Sequence, residues 1–100
     1  MSYFVYILYS PSTNSFYKGQ THDLAARITR HNNGWEKFTS VGKPWILLWY
    51  TSKPNRTEAL ALEKKLKNLS RQKTIELMLK YDHEVAGPDE LLLLKQLSGC

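Results

Sequence analysis

A chain of 100 residues has room for one folded core and not for two. Its 42% apolar and 23% charged residues are ordinary for a folded domain and exclude a disordered or low-complexity chain. The net charge of +5, from fourteen Lys and Arg against nine Asp and Glu, suits a polyanion such as DNA or RNA, since each neutralised phosphate releases counterions; the alternative is a basic surface with no specific partner.

Residues 3–9, Tyr-Phe-Val-Tyr-Ile-Leu-Tyr, are apolar or aromatic on both parities. Such a run reads as a central strand covered on both faces. Before it there is no basic start, and after it comes Ser10-Pro11-Ser12, so the expectation is neither a signal peptide nor a membrane span, with the cytoplasm as the default location. The one cysteine, Cys100, supplies neither an internal disulfide nor a cysteine zinc site. Residues 10–15 are a dense turn signal, and Phe16 to Gln20 follow as a second short strand, so an antiparallel hairpin is the simplest pairing.

Asp23 is a good N-cap for a helix over about 24–31 that stops near Asn32-Asn33-Gly34. A polar loop over 35–44 leads to a third strand from Trp45 to Thr51. Asn55 with Glu58 resembles a capping box and opens a helix to about Leu69. Ser70 caps a further helix through Tyr81, with a tight corner between the two. The order is ββαβαα, an α+β domain with a small three-stranded antiparallel sheet, the first strand in the middle, flanked by helices. We place this domain at residues 1–82. Residues 83–100 form a C-terminal tail whose Leu91–Leu94 run reads either as a short helix packed on the domain or as a segment that orders against a protein partner or a second copy.

Two helices carry polar residues where apolar ones belong. With Leu24 at zero and about 100° per residue, Ile28 falls at about +40°, His31 at about −20° and Arg27 at about −60°. Arg27 and His31 therefore share the apolar arc, while Arg30 points to a flank. On the later helix, with Ala59 at zero, Glu63 falls at about +40° among Leu60, Leu62 and Leu66. A carboxylate there loses solvation unless a cation, a metal or hydrogen-bond donors meet it. The structural alternative is an Arg27–Glu63 pair at the core edge, with His31 complementing a helix C-terminus.

The same residues fit a pattern. Phe4-Val5-Tyr6, ten residues, then Tyr17-Lys18-Gly19 resembles the signature of the GIY-YIG nucleases. The match continues as Tyr17-x-Gly19-x-Thr21-x-Asp23-Leu24-x-x-Arg27-x-x-x-His31-Asn32, with Glu63 on the helix after the third strand, where the family carries its metal-binding glutamate. The resemblance covers residues 3–80 and is strongest to small stand-alone members. Phe4 and Lys18 depart from the signature's first glycine and central isoleucine, and no asparagine downstream of Glu63 aligns clearly, Asn68 being the nearest.

The resemblance implies a metal-dependent endonuclease acting on DNA (branched, nicked or single-stranded), with structure selected over sequence in the manner of repair or recombination. Its catalytic set is Tyr6, Tyr17, Arg27, His31 and Glu63. Glu63 would hold one Mg²⁺ or Mn²⁺, with waters and the scissile phosphate completing the shell. Arg27 would clamp the phosphate oxygens. Tyr6 or Tyr17 would orient the water, and either one, or His31, would be the base; a tyrosine base needs Arg27, His31 or the metal to lower its pKa from about 10. Lys18, Gly19, Arg30 and Trp35 are candidate nucleic-acid contacts: Lys18 through a phosphate, Gly19 through close backbone approach and Trp35 by stacking on a base. Trp45 and Trp49 read as core. The rival reading is a nucleic-acid-binding module of the same fold with little or no cleavage.

Overall fold

The computed structural model describes residues 2–34 and 39–99. Strands β1 (Tyr3–Ser10), β2 (Ser15–Thr21) and β3 (Ile46–Lys53) form one antiparallel sheet in the order β2-β1-β3. Strands β1 and β3 are both apolar on both parities, and β1, the more apolar of the two, is the middle one, where both of its faces are covered.

The two faces of β1 enter two different cores. Val5, Ile7 and Tyr9 join Leu48 and Trp49 of β3 in the larger one. Helix α2 (Arg56–Lys67) adds Ala59 and Leu66, α3 (Arg71–Lys80) adds Ile75 and Met78, and α4 (Pro88–Leu97) adds Leu94. Tyr6 and Leu8 project from the opposite face. There they meet Trp45, with Leu24 and Ile28 of α1 (Leu24–Asn32) packed beside them. Between Ile7 and Leu8 the pairing with β3 shifts from Trp49 to Leu47. Leu48 is the extra residue of this bulge and points to the larger core.

The helix starts follow the capping chemistry of the sequence. Asp23 accepts from the Ala26 amide at 3.1 Å, Asn55 from Glu58 at 2.9 Å and Ser70 from Lys73 at 3.1 Å. Helix α2 ends at Lys67, two residues short of the expected Leu69, because Asn68 and Leu69 turn the corner toward Ser70. In the β1–β2 turn, Asn14 takes a left-handed conformation that asparagine tolerates. Arg71 donates to both its carbonyl and its side-chain oxygen at 2.9 Å, which ties the hairpin to α3.

After α3, a 3-10 turn over Asp82–Glu84 leads to a bridge between Val85 and Trp49, and the Ala86 amide donates to the Leu48 carbonyl at 2.8 Å. Of the four consecutive leucines, Leu94 is fully buried in this chain's own core and Leu92 remains exposed. No helix among the described residues is long and apolar enough to cross a membrane.

Candidate active site

The hairpin register sets Tyr6 opposite Gly19. The Tyr6 side chain is fully buried and lies directly over that glycine. A Cβ at position 19 would stand 2.6 Å from the Tyr6 hydroxyl oxygen and 2.8 Å from Cζ. Gly19 is therefore needed for the space it leaves to the phenol. That space, together with the Tyr17 ring 6.3 Å from the Tyr6 ring, defines the pocket in which the hydroxyl sits.

The hydroxyl lies 3.0 Å from His31 Nε2, and His31 Nδ1 lies 2.7 Å from Thr39 Oγ1. His31 and Thr39 are both buried. The chain of bonds is satisfied in two directions: Tyr6 donates to Nε2 while Nδ1–H donates to Thr39, or Thr39 donates to Nδ1 while Nε2–H donates to Tyr6. The Tyr17 ring packs on the imidazole at 4.8 Å between centroids. Trp45 closes this side, its indole N–H donating to the Thr39 carbonyl at 2.6 Å. Asn32, next in the motif, accepts from the Trp45 amide at 2.5 Å and donates to its carbonyl at 3.3 Å. It pins the end of α1 to the start of β3.

Arg27 on α1 and Glu63 on α2, helices on opposite faces of the sheet, both act on this phenol, Arg27 by charge and a hydrogen bond and Glu63 by charge alone. Burial raises the Tyr6 pKa well above its usual value near 10, and the neighbouring Tyr17 adds to the rise. The charge of Arg27 and its hydrogen bond to the phenol oppose that rise, and Glu63 reinforces it. A tyrosine that serves as the base, Tyr6 or Tyr17, needs neighbouring groups to lower its pKa. For Tyr6 desolvation outweighs Arg27, so it is held as a neutral phenol. Tyr17 is only partly buried and is the phenol of the pair with solvent access.

The Glu63 side chain keeps 17% of its exposure and pairs with Lys67 one turn on, at 3.3 Å. The alternative Arg27–Glu63 pair does not occur among the described residues. No group of three or more His, Cys, Asp or Glu side chains is placed to hold a metal among the described residues. The donor set therefore fits a hard divalent cation only if Glu63 contributes one ligand and waters and substrate oxygens complete the shell.

The remaining candidates lie further out. Lys18 pairs with Ile7 in β2, and partial burial lowers its pKa. Gly19 is buried beneath Tyr6, and Arg30 is exposed on α1. Trp35 lies outside the described residues. Trp45 and Trp49 are buried, as expected for core residues. Sequence reasoning missed Thr39, a loop residue with no helical or strand periodicity to single it out.

Residues 2–76 match the model described as the GIY-YIG catalytic domain. The chain belongs to the GIY-YIG nuclease family. Its relatives include the UPF0213 proteins of Staphylococcus aureus strains Mu3 and N315, each 37% identical over 78 residues, which cover 77% of this chain and 94% of theirs. A solution structure of a UPF0213 protein from Bacillus halodurans is similar with a TM-score of 0.56 at 34% identity, covering 90% of this chain and 92% of that one. The expected α+β fold with its ββαβαα order is therefore that of a small GIY-YIG protein.

Proposed function

We propose that this GIY-YIG chain is a divalent-metal-dependent endonuclease that hydrolyses phosphodiester bonds in DNA and selects structure over sequence. The observation that carries this reading is the set of groups around the buried Tyr6 hydroxyl: the Tyr17 ring at 6.3 Å, His31 Nε2 at 3.0 Å and the Arg27 guanidinium, with the charge of Glu63 acting on the same phenol. In a small basic domain this brings a guanidinium, an imidazole and two phenols together.

Arg27 donates to the non-bridging oxygens of the scissile phosphate and stabilises the charge that grows there. Glu63 holds one Mg²⁺ or Mn²⁺, which when bound supplies charge neutralisation and a more acidic water. Tyr17 orients the attacking water. Tyr6, kept neutral by burial, carries a hydrogen bond between that region and His31, and Thr39 fixes the imidazole. Gly19 makes room for this arrangement.

The test is incubation with branched, nicked and single-stranded DNA in Mg²⁺ and in Mn²⁺, beside Arg27→Ala and Glu63→Ala. Cleavage by the native chain that both variants lose supports the enzyme. Binding without cleavage, unchanged in Glu63→Ala, would reassign the chain to a nucleic-acid-binding module.

A further inference from the structure

A polar cleft of about 210 Å³ opens beside Arg27, lined by Tyr3, Gln20, Thr21, His22, Arg27 and Arg56. It lies where the ends of β1 and β2 meet the first turn of α2. No carboxylate lines it, and neither guanidinium forms an ion pair among the described residues.

Arg56 is the first residue of α2. A cation is disfavoured at that end of a helix, where the unpaired amides carry partial positive charge. The acid of the same turn, Glu58, is not part of the cleft wall; its carboxylate accepts from the Asn55 side chain at 3.1 Å. Two guanidiniums and a helix N-terminus therefore gather around one polar cleft with no carboxylate in its wall. Local rules are broken in this way where a ligand supplies what is missing.

A second, independent feature is the Gln20 side chain. Its oxygen is buried and has no hydrogen-bond partner, which is uncommon for a buried acceptor. An acceptor of this kind is met by a donor, from a guanidinium of the same cleft wall or from a sugar hydroxyl of a nucleotide, and not by phosphate oxygens themselves.

We propose that this cleft is a second phosphate subsite, seating the backbone phosphate next to the one held by Arg27, with Arg56 as a positioning residue. The identity of Arg27's own phosphate rests on the nuclease reading above. Occupancy of the subsite does not, since it needs neither metal nor turnover. Arg56 acts on a spectator phosphate, so it contributes equally to ground-state and transition-state binding and leaves the chemical step alone.

The experiment uses the full chain and a fluorescent single-stranded oligonucleotide in EDTA, with affinity measured by anisotropy across a salt series. Arg56→Ala should weaken binding about tenfold and reduce the log–log salt slope by about 0.7, the share of one single-strand phosphate. Arg56→Lys should keep most of the slope. Lys95→Ala, which removes an exposed charge from α4, should leave both quantities near native. Equal affinity and slope in Arg56→Ala, or a loss matched by Lys95→Ala, overturns the subsite. With a cleavable substrate, Arg56→Ala should raise KM and hold kcat. Native cleavage with an unchanged KM in this variant sinks the subsite and leaves the nuclease reading standing. A clear Arg56 effect on binding with no cleavage of any DNA does the reverse.

Discussion

Replacing Gly19 by Ala places a methyl group where the Tyr6 phenol lies, 2.6 Å from its oxygen and 2.8 Å from Cζ. Both atoms belong to a fully buried side chain, so the ring cannot swing into solvent. It must shift within the core, and the 3.0 Å contact with His31 Nε2 is lost with it. Overpacking of this kind costs about 1–3 kcal/mol. Leaving a buried hydroxyl or imidazole nitrogen unpaired costs about 1–3 kcal/mol more. Removing a strand glycine returns about 0.5–1 kcal/mol of chain entropy. The net is a destabilisation of about 1–5 kcal/mol, which for a domain this size lowers Tm by at least about 4 °C. Thermal unfolding of the native chain, Gly19→Ala, Tyr6→Phe and the double variant closes a cycle. Because Phe lacks the oxygen, the methyl should cost less in the Tyr6→Phe background, by about 1 kcal/mol or more. A Gly19→Ala variant within about 0.5 kcal/mol of native, or a cycle that sums additively, would refute the steric account of this glycine.

The raised Tyr6 pKa fixes a pH dependence. Above the unfolded value near 10 the native state retains a proton that the unfolded state has lost, so this contribution to stability is present below that pH and declines as pH rises beyond it. Urea unfolding in a series from pH 8 upward should show a decline that is shallower in Tyr6→Phe; identical slopes would remove Tyr6 as its source. Thr39→Val keeps the shape but deletes the hydroxyl 2.7 Å from His31 Nδ1, and should cost about 1–3 kcal/mol in unfolding experiments. Helix α4 is tested by Leu94→Ala, which should cost about 2–5 kcal/mol because the side chain is fully buried. Leu92→Ala, 58% exposed in the native chain, should stay within about 0.5 kcal/mol.

Much of the fold could be read from the sequence because it depends on local rules. Apolar residues on both parities made β1 the middle strand, and Asp23, Asn55 and Ser70 marked three helix starts. Helical periodicity also put Arg27, His31 and Glu63 on inward arcs, and all three are buried or half-buried. What resisted reading depends on contacts between distant segments. The need for Gly19 follows from the register that sets Tyr6 across from it. Thr39 matters only because a loop returns to the end of α1. Whether the four leucines pack or wait for a partner turns on Leu94 meeting residues from both cores' shared sheet and from α2 and α3. The direction of the Tyr6 pKa could not be read from the sequence, because proximity to Arg27 is visible in a motif, whereas the depth of burial that outweighs it is a property of the packed sheet.

The most direct test of the central claim is the single-turnover rate of DNA cleavage by Glu63→Gln, with protein in excess and Mg²⁺ or Mn²⁺ present. Gln keeps the volume of the side chain and removes the charge that would bind the cation. The account predicts that Glu63→Gln binds the substrate about as well as the native chain and cleaves it slower by about 10² or more. Cleavage at the native rate would contradict the account, because the carboxylate on α2 would then have no part in the chemistry.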